Sequence, residues 1–181
     1  SLMGRHWLAR NCNKRMALSI SQRLDVAEIV GRVLDARGIT LENSLSFLDP
    51  TLKEQLPDPA HLKDMDLASQ RLATAVMEGE KIAIFGDYDV DGATSSALLK
   101  QFLDHVGGKI QVIIPDRIKD GYGPNTKALL KLREEGTAVV VTVDCGTTSF
   151  EPIDSAMNAG LDVIVVDHHE AEASLPNAFA I

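Results

Sequence analysis

The sequence lacks several features that would assign it to other classes of protein. Its apolar runs, such as residues 138–143 and 161–166, are far shorter than the roughly 20 residues needed to cross a bilayer. Its two cysteines, Cys12 and Cys145, lie far apart and form no CxxC pair, which argues against a disulfide framework and a zinc ribbon. We therefore expect a soluble, cytoplasmic protein with reduced thiols and no membrane partner.

The sequence also lacks an excess of positive charge. It contains 18 Lys and Arg residues against 26 Asp and Glu residues, a formal net charge of -8. Because phosphate contacts normally need Lys and Arg in excess, this charge argues against a nucleic-acid partner bound by a basic surface. The objection weakens if many of the acids serve metal ions, which reverse the local sign of a site.

The first part of the chain has a helical pattern. Apolar residues recur at helical spacing from Val26 to Leu34, and Gly38 follows where a left-handed helix cap is expected. A second helix is predicted from Met65 to near Gly79. These patterns predict a helical N-terminal segment, residues 1–79, that packs on the core of the protein.

From residue 81 the pattern changes to short apolar runs separated by helical stretches. The runs are residues 81–85, 110–114, 138–143 and 161–166. Runs that are apolar throughout indicate strands covered on both faces, and the stretches between them can supply right-handed crossover helices. The predicted fold class is α/β: a doubly wound parallel sheet with flanking helices, residues 80–181, preceded by the short helical segment.

Ionisable residues follow each predicted strand. They are Asp87, Asp89 and Asp91, then Asp116, then Asp144, then Asp167, His168 and His169. In such sheets ligands bind beyond the carboxyl ends of the strands, and so many negative charges are tolerable mainly when cations neutralise them. Carboxylates with an imidazole suit Mn²⁺ or Mg²⁺ better than zinc. We predict two such ions, a pair suited to hydrolysis at phosphorus.

Three further expectations concern the surroundings of this site. The helix after the first strand opens near Thr94 and Ser95, one of which caps it. The loop that contains Arg117 and Tyr122 is either an ordinary solvated loop or a contact for a substrate phosphate. Because successive side chains of an extended segment point to opposite sides, we expect the two adjacent histidines to divide into one ligand and one non-ligand.

The motifs resemble those of DHH phosphoesterases in their RecJ version. Residues 82–95 resemble the first motif of that superfamily, residues 114–123 the second, residues 143–146 the third, and residues 166–169 the motif that names it. Upstream stretches around residues 47–50 and 57–65 are also RecJ-like. The resemblance therefore covers nearly the whole chain.

The resemblance implies roles for individual residues. The implied metal ligands are Asp89, Asp91, Asp144 and His168, with Asp144 as the bridge between the ions. The implied catalytic residues are His169, Asp144 and Asp87, and the implied substrate contacts are Arg117 and Tyr122. Many relatives have a histidine ligand where this chain has Phe85, which leaves Asp87 either to supply a compensating oxygen or to accept a hydrogen bond.

The same resemblance implies a function for a longer protein. It implies a metal-dependent exonuclease that digests single-stranded DNA from 5′ to 3′ in DNA repair and recombination, with a single-strand-binding protein or a helicase as protein partner. The family completes its site with a downstream aspartate, a second domain and an oligonucleotide-binding barrel. We therefore expect this chain to be an N-terminal fragment that is weakly active or inactive alone.

Other functions fit parts of the pattern. Within the superfamily the alternatives are a pyrophosphatase, a phosphodiesterase for short oligonucleotides or cyclic dinucleotides, and an inactive DHH-fold binding module. Residues 89–94 also resemble the DxDGT motif of haloacid dehalogenases, but that family does not explain Asp167, His168 and His169. A two-component receiver would need a lysine at the end of a later strand, which is not evident.

Overall fold

The computed structural model describes residues 4, 6, 8, 10–119 and 121–181. The chain divides into two compact units, residues 1–58 and residues 59–181. The helices of the first unit are α1 (Lys14–Leu24), α2 (Glu28–Ala36), α3 (Ser44–Leu48) and α4 (Leu52–Gln55). The prediction of a helical segment at this end of the chain is therefore confirmed.

The first unit is built around the contact between α1 and α2. The helix predicted from Val26 is α2, and Gly38 beyond its end has a φ of 76°, as expected for a left-handed cap. A Cβ atom at Gly31 would lie 2.1 Å from the carbonyl oxygen of Ala17. Only glycine therefore allows the backbones of α1 and α2 to approach so closely.

The second unit contains alternating helices and strands. After a short 3₁₀ helix, Pro59–His61, the order is α5 (Met65–Glu78), β1 (Lys81–Gly86), α6 (Val90–His105), β2 (Lys109–Ile113), α7 (Thr126–Glu134), β3 (Thr137–Val143), α8 (Phe150–Asn158) and β4 (Asp162–Val166). The unit begins before α5, whereas the sequence placed the boundary after this helix. The reason is that α5 packs on the sheet through Ala75, Leu72 and Val76.

The sheet is entirely parallel, in the order β2-β1-β3-β4. The chain moves from β1 to one side to form β2, and then crosses to the other side of β1 to form β3. The order therefore reverses between β1 and β3, and in open α/β sheets the ligand crevice lies at such a reversal. This is the doubly wound parallel sheet predicted from the sequence.

Helices cover both faces of the sheet. Because side chains alternate along a strand, Ile82 and Ile84 of β1 pack on the face covered by α5 and α6, whereas Ala83 and Phe85 pack on the face covered by α7 and α8. Phe85 is 1% exposed and lies in this second core. Its ring is therefore a packing group of the sheet.

The outer edge of β4 is covered by the segment near residue 180. The backbone N–H of Val165 donates to the carbonyl oxygen of Ala180 (2.9 Å), and that of Phe179 donates to the carbonyl oxygen of Val163 (2.8 Å).

Among the described residues, no helix is both long enough and apolar enough to cross a membrane.

Candidate metal centre

The candidate site begins where β1 and β3 end. Gly86 pairs with Val143, and the backbone N–H of Asp87 extends the pairing by donating to the carbonyl oxygen of Val143 (3.3 Å). On the other side, the N–H of Asp144 donates to the carbonyl oxygen of Val166 (2.9 Å). The sheet register therefore delivers Asp87 and Asp144 to the crevice between β1 and β3.

Asp89 is held by the first turn of α6. Its Oδ1 accepts hydrogen bonds from the backbone N–H groups of Asp91 (3.0 Å) and Gly92 (3.2 Å), so Asp89 is the N-cap of this helix. The expectation that Thr94 or Ser95 caps the helix is wrong, because α6 begins at Val90 and Thr94 already lies inside it, donating to the carbonyl oxygen of Val90.

Gly92 allows the loop between β1 and α6 to fold back on itself. A Cβ atom at this position would lie 2.3 Å from the carbonyl oxygen of Asp87 and 2.5 Å from its backbone nitrogen. The sheet register places Asp87 beside Asp144, and the close approach of α6 to residue 87 adds Asp89, which caps this helix, to the same group.

Asp87, Asp89 and Asp144 form the first group of potential ligands, with one oxygen from each lying within 4.8 Å of the others. Asp87 is 3% exposed, and its Oδ1 has no hydrogen-bond partner among the described residues. A buried carboxylate oxygen without a partner is costly unless a cation or a proton satisfies it. The arrangement therefore fits a divalent cation bound by oxygen ligands.

The pKa values of two of these carboxylates reflect their crowding. Burial, and then the neighbouring Asp89, raise the pKa of Asp144 above its ordinary value. The hydrogen bond from the N–H of Gly92 is the main cause that lowers the pKa of Asp89. Asp144 is thus a carboxylate whose negative charge is opposed by its surroundings, as expected where a cation normally compensates it.

The two histidines form the second group with Asp144. One nitrogen from each ring and one Asp144 oxygen lie within 4.8 Å of one another, and Nε2 of His168 is 3.1 Å from Oδ1 of Asp144. The ring centroids of His168 and His169 are 4.9 Å apart. Both histidines lie beyond β4, which ends at Val166, so the alternation of a strand does not govern the direction of their rings. The division of the two histidines into one ligand and one non-ligand stays a prediction.

The carboxylate of Asp167 accepts hydrogen bonds from His169 and Thr147. Its Oδ1 accepts from Nδ1 (2.7 Å) and the backbone N–H (3.1 Å) of His169, and its Oδ2 accepts from the N–H of Thr147 (3.0 Å). Although burial raises it, hydrogen bonds from Thr147 and His169 bring the pKa of Asp167 down to about 2. The contact with Asp167 raises the pKa of His169.

The structure brings Tyr122 to the site as well. Its hydroxyl donates to the carbonyl oxygen of Asp144 (3.2 Å) and lies 3.3 Å from Nδ1 of His169, with the two rings in an edge-to-face arrangement. Burial raises the pKa of Tyr122, so the hydroxyl stays protonated. Half of the residue remains exposed.

Two other expected site residues lie further from these groups. Asp91 lines the cleft formed with Ser95, Asp144, Val166, Asp167 and His168, but its carboxylate is in neither ligand group among the residues described. The guanidinium of Arg117 lies over the ring of Tyr88, 5.0 Å from its centroid. Residue 120 of the same loop is outside the described part of the chain.

Sequence reasoning gave no role to Asp167 or Thr147. Asp167 follows β4 directly, and this position indicated that it lies at the site. Its hydrogen-bond partners are Thr147, in the segment after β3, and His169, two residues further along the chain. A pattern along one strand does not reveal such contacts.

Comparison with known proteins agrees with this geometry. Residues 81–181 match the model of the DHH family, N-terminal domain. The chain is 34% identical over 175 residues to the single-stranded-DNA-specific exonuclease RecJ of Bacillus subtilis (strain 168), in an alignment that covers 97% of this chain and 22% of that protein.

Two solved structures of RecJ are also similar. Exonuclease RecJ bound to manganese is 32% identical, with a TM-score of 0.58, over 63% of this chain and 29% of that one. RecJ in complex with Mn²⁺ from Thermus thermophilus is 25% identical, with a TM-score of 0.67, over 94% of this chain and 24% of that one. The chain thus spans about a quarter of the length of these relatives. Its matching residues make up more than half of the chain, so the chain belongs to the DHH family, and residues 81–181 form the N-terminal domain of that family.

Proposed function

We propose that this chain is the metal-binding part of a divalent-metal-dependent exonuclease that acts on single-stranded DNA. The observation that carries the proposal is the convergence of Asp87, Asp89, Asp144 and His168 at the reversal point of the sheet. The relatives whose names specify single-stranded DNA, and the two RecJ structures with manganese, support the choice of substrate and of metal.

The proposed ligands of the ions are Asp89, Asp91, Asp144 and His168. Asp144 is the proposed bridge because it is the one residue that belongs to both ligand groups found among the described residues. Asp87 is the proposed replacement for the histidine that many relatives have at the position of Phe85, since its buried Oδ1 is free to bind. When bound, two Mn²⁺ or Mg²⁺ ions supply Lewis-acid stabilisation for hydrolysis at phosphorus.

The remaining residues have proposed roles around the substrate. His169 donates a hydrogen bond to the oxygen on which charge develops in the transition state. Tyr122 and Arg117 contact the sugar-phosphate backbone, and this role of Tyr122 is supported by its half-exposed position and by its hydroxyl, which lies beside His169. Digestion from 5′ to 3′, a role in DNA repair and recombination, and a helicase or single-strand-binding protein as partner all belong to the same proposal.

Hydrolysis of end-labelled DNA by the full-length protein tests the proposal. We expect single strands to be digested in the presence of Mn²⁺, duplexes of the same sequence to be spared, and EDTA to abolish the reaction. Labels at the 5′ and 3′ ends, each on a separate strand, reveal the direction of digestion. Equal digestion of both DNA forms, or unaltered activity in EDTA, would contradict the proposal.

The 181-residue chain is the natural comparison in the same assay. Because it spans about a quarter of the length of its relatives, we expect it to bind Mn²⁺ but to hydrolyse single strands much more slowly than the full-length protein. Equal rates for both proteins would show that the remainder of the relatives' length is dispensable for hydrolysis.

A further inference from the structure

We infer that Tyr122 is a positioning residue for Asp144: its hydroxyl holds the backbone of Asp144 in a left-handed conformation and thereby fixes the position of the carboxylate in the candidate metal centre. Because Asp144 is the proposed bridge between two ions, this inference rests on the proposed function. It gives the hydroxyl of Tyr122 a role within the protein, in addition to the proposed contact of this residue with DNA.

Asp144 has an unusual backbone conformation for a residue with a side chain. Its φ is 61°, in the left-handed region that favours glycine. Among the described residues, the other two non-glycine residues with a positive φ are Asp25 and Asp64, which flank the helices α1 and α5. Asp144 instead follows the strand β3 directly. A conformation of this kind persists only where the surrounding contacts hold it.

Hydrogen bonds hold the peptide groups on both sides of the Asp144 Cα atom. The N–H of Asp144 donates to the carbonyl oxygen of Val166 (2.9 Å), and its carbonyl oxygen accepts from the hydroxyl of Tyr122 (3.2 Å). No backbone N–H donates to this carbonyl oxygen among the described residues. Because each peptide group is planar, fixing both of them fixes φ, ψ and the direction of the Cα–Cβ bond. The Tyr122 hydroxyl therefore helps to aim the carboxylate that belongs to both ligand groups.

The loop that carries Tyr122 packs against the segment after β3. Glycines flank Tyr122 on both sides, with a φ of 79° at Gly121 and of 74° at Gly123. Gly123 is buried, and a Cβ atom added to it would lie 3.5 Å from Oγ of Ser149 in that segment. The ring of Tyr122 lies edge-to-face with that of His169, with 5.9 Å between the centroids. These contacts within the chain place the Tyr122 hydroxyl at the Asp144 carbonyl oxygen.

Calorimetric titration of the 181-residue chain with Mn²⁺ tests this role in Tyr122→Phe, which removes the hydroxyl and keeps the ring. We expect Mn²⁺ affinity to fall by roughly 3–10-fold, the range for the loss of one hydrogen bond between uncharged groups. Tyr88→Phe is the matched control, because the Tyr88 ring contacts Arg117 and its hydroxyl has no hydrogen-bond partner among the described residues. This control should bind Mn²⁺ as the wild type does. Unchanged affinity in Tyr122→Phe, or equal losses in the two variants, would overturn the inference.

The Tyr122 hydroxyl also lies near His169, with 3.3 Å between the hydroxyl oxygen and Nδ1. A double-mutant cycle separates this contact from the one with Asp144. Tyr122→Phe should lower Mn²⁺ affinity by the same factor in the His169→Ala background as in the wild type, because the contact with the Asp144 carbonyl oxygen does not involve the His169 ring. An effect that disappears in this background would show that the hydroxyl acts through His169 and would overturn the inference.

The backbone of Asp144 gives a readout that depends on neither metal nor hydrolysis. Backbone chemical shifts and the one-bond Cα–Hα coupling distinguish a positive from a negative φ. We expect a positive φ at Asp144 in the wild-type chain and a mixture with negative φ in Tyr122→Phe. If the variant does not fold, the wild-type spectrum decides, because a negative φ at Asp144 contradicts the inference. Weakened Mn²⁺ binding in Tyr122→Phe, together with a full-length protein that digests no single strands, would refute the proposed function and leave the role of Tyr122 intact.

Discussion

At the scale of single residues, Asp89 contributes both to the start of α6 and to the candidate metal centre. Its Oδ1 caps the helix by accepting from Asp91 and Gly92, while the same carboxyl group lies with Asp87 and Asp144. An alanine at this position would remove the cap and the ligand together. Asp89→Asn is the more informative variant, because the amide oxygen still caps the helix while the charge is lost.

The two histidines should respond differently to substitution. His168→Ala is expected to lower Mn²⁺ affinity by roughly 10–100-fold, as for the loss of a ligand or its support. His169→Ala should leave this affinity nearly intact and lower kcat of the full-length protein by roughly 10²–10³-fold, as for the loss of one transition-state donor. Calorimetric titration and steady-state kinetics measure the two quantities. Weak metal binding with normal turnover in His169→Ala would reverse the two roles.

The two cysteines should differ in reactivity. Burial, and then the nearby carboxylates, raise the pKa of Cys145 to about 12, and its Sγ lies between the carbonyl oxygens of Phe85 and Val143. Cys12 is partly exposed. Because the thiolate is the reactive form, a thiol reagent at mildly alkaline pH should modify one thiol in the native chain and two after unfolding. Rapid modification of both thiols in the native chain would contradict the described packing.

The sequence predicted which acidic residues lie at the site but not all of their contacts. The acids after each strand were identifiable because they interrupt apolar runs, and the structure does bring Asp87, Asp89 and Asp144 together. The predicted run and the observed β4 both end at Val166, so His168 and His169 lie in the segment beyond the strand, whose side-chain directions the pattern of apolar residues does not predict. The hydrogen bond from Thr147 to Asp167 joins residues 20 positions apart, so no local pattern predicts it.

At the scale of elements, the loop between β1 and α6 determines the spacing of the acids. The strands were predictable to within a residue or two at each end, because runs such as residues 81–85 are apolar throughout and the observed β1 is Lys81–Gly86. The strand order β2-β1-β3-β4 was not readable from the runs, since it depends on which crossover lies on which side. That order is what places Asp87 beside Asp144.

Gly92→Ala should therefore disturb the metal centre. Its Cβ would lie 2.3 Å from the Asp87 carbonyl oxygen, so α6 must move away from the loop. We expect a loss of about 1–3 kcal/mol in the free energy of unfolding and weaker Mn²⁺ binding. Gly107→Ala is the control. Its φ of 85° makes an alanine unfavourable by roughly 1–2 kcal/mol. Gly107 lies just beyond the C-terminal end of α6, where an added Cβ atom would contact no other residue. Equal Mn²⁺ affinity of the two variants would contradict the role given to Gly92.

Arg71 connects α5 to the edge of the sheet opposite the metal centre. Its guanidinium donates to Asp162 at the start of β4 (2.5 Å) and to Glu80 before β1 (2.6 Å), and its side chain is 14% exposed. Burial lowers the pKa of Arg71, but the two acids outweigh it and raise the pKa above its ordinary value.

Arg71→Met should leave two carboxylates without their shared partner and lower the free energy of unfolding by about 1–3 kcal/mol. Lys100→Met is the control, because the ion pair of Lys100 with Asp104 is exposed and should contribute below about 1 kcal/mol. Urea denaturation measures both. Similar losses in the two variants would mean that Arg71 has no special part in holding α5 on the sheet.

At the scale of the whole molecule, an acidic chain is proposed to act on an acidic polymer. Because the formal net charge is -8, a basic binding surface does not explain affinity for DNA. Divalent ions bound at the end of the sheet would change the local sign of the charge. The relatives extend over about four times the length of this chain. The proposed action on single-stranded DNA therefore depends on divalent ions binding at the candidate metal centre.

Calorimetric titration of the 181-residue chain with Mn²⁺ tests that centre most directly. Asp144 is the residue common to both ligand groups among those described, so Asp144→Asn should weaken Mn²⁺ binding more than Asp89→Asn or Asp91→Asn does. Asp154→Asn, which removes an equal charge from an exposed position on α8, should bind as the wild type does. A wild-type chain without measurable Mn²⁺ binding, or an Asp144→Asn chain that binds Mn²⁺ normally, would contradict the account.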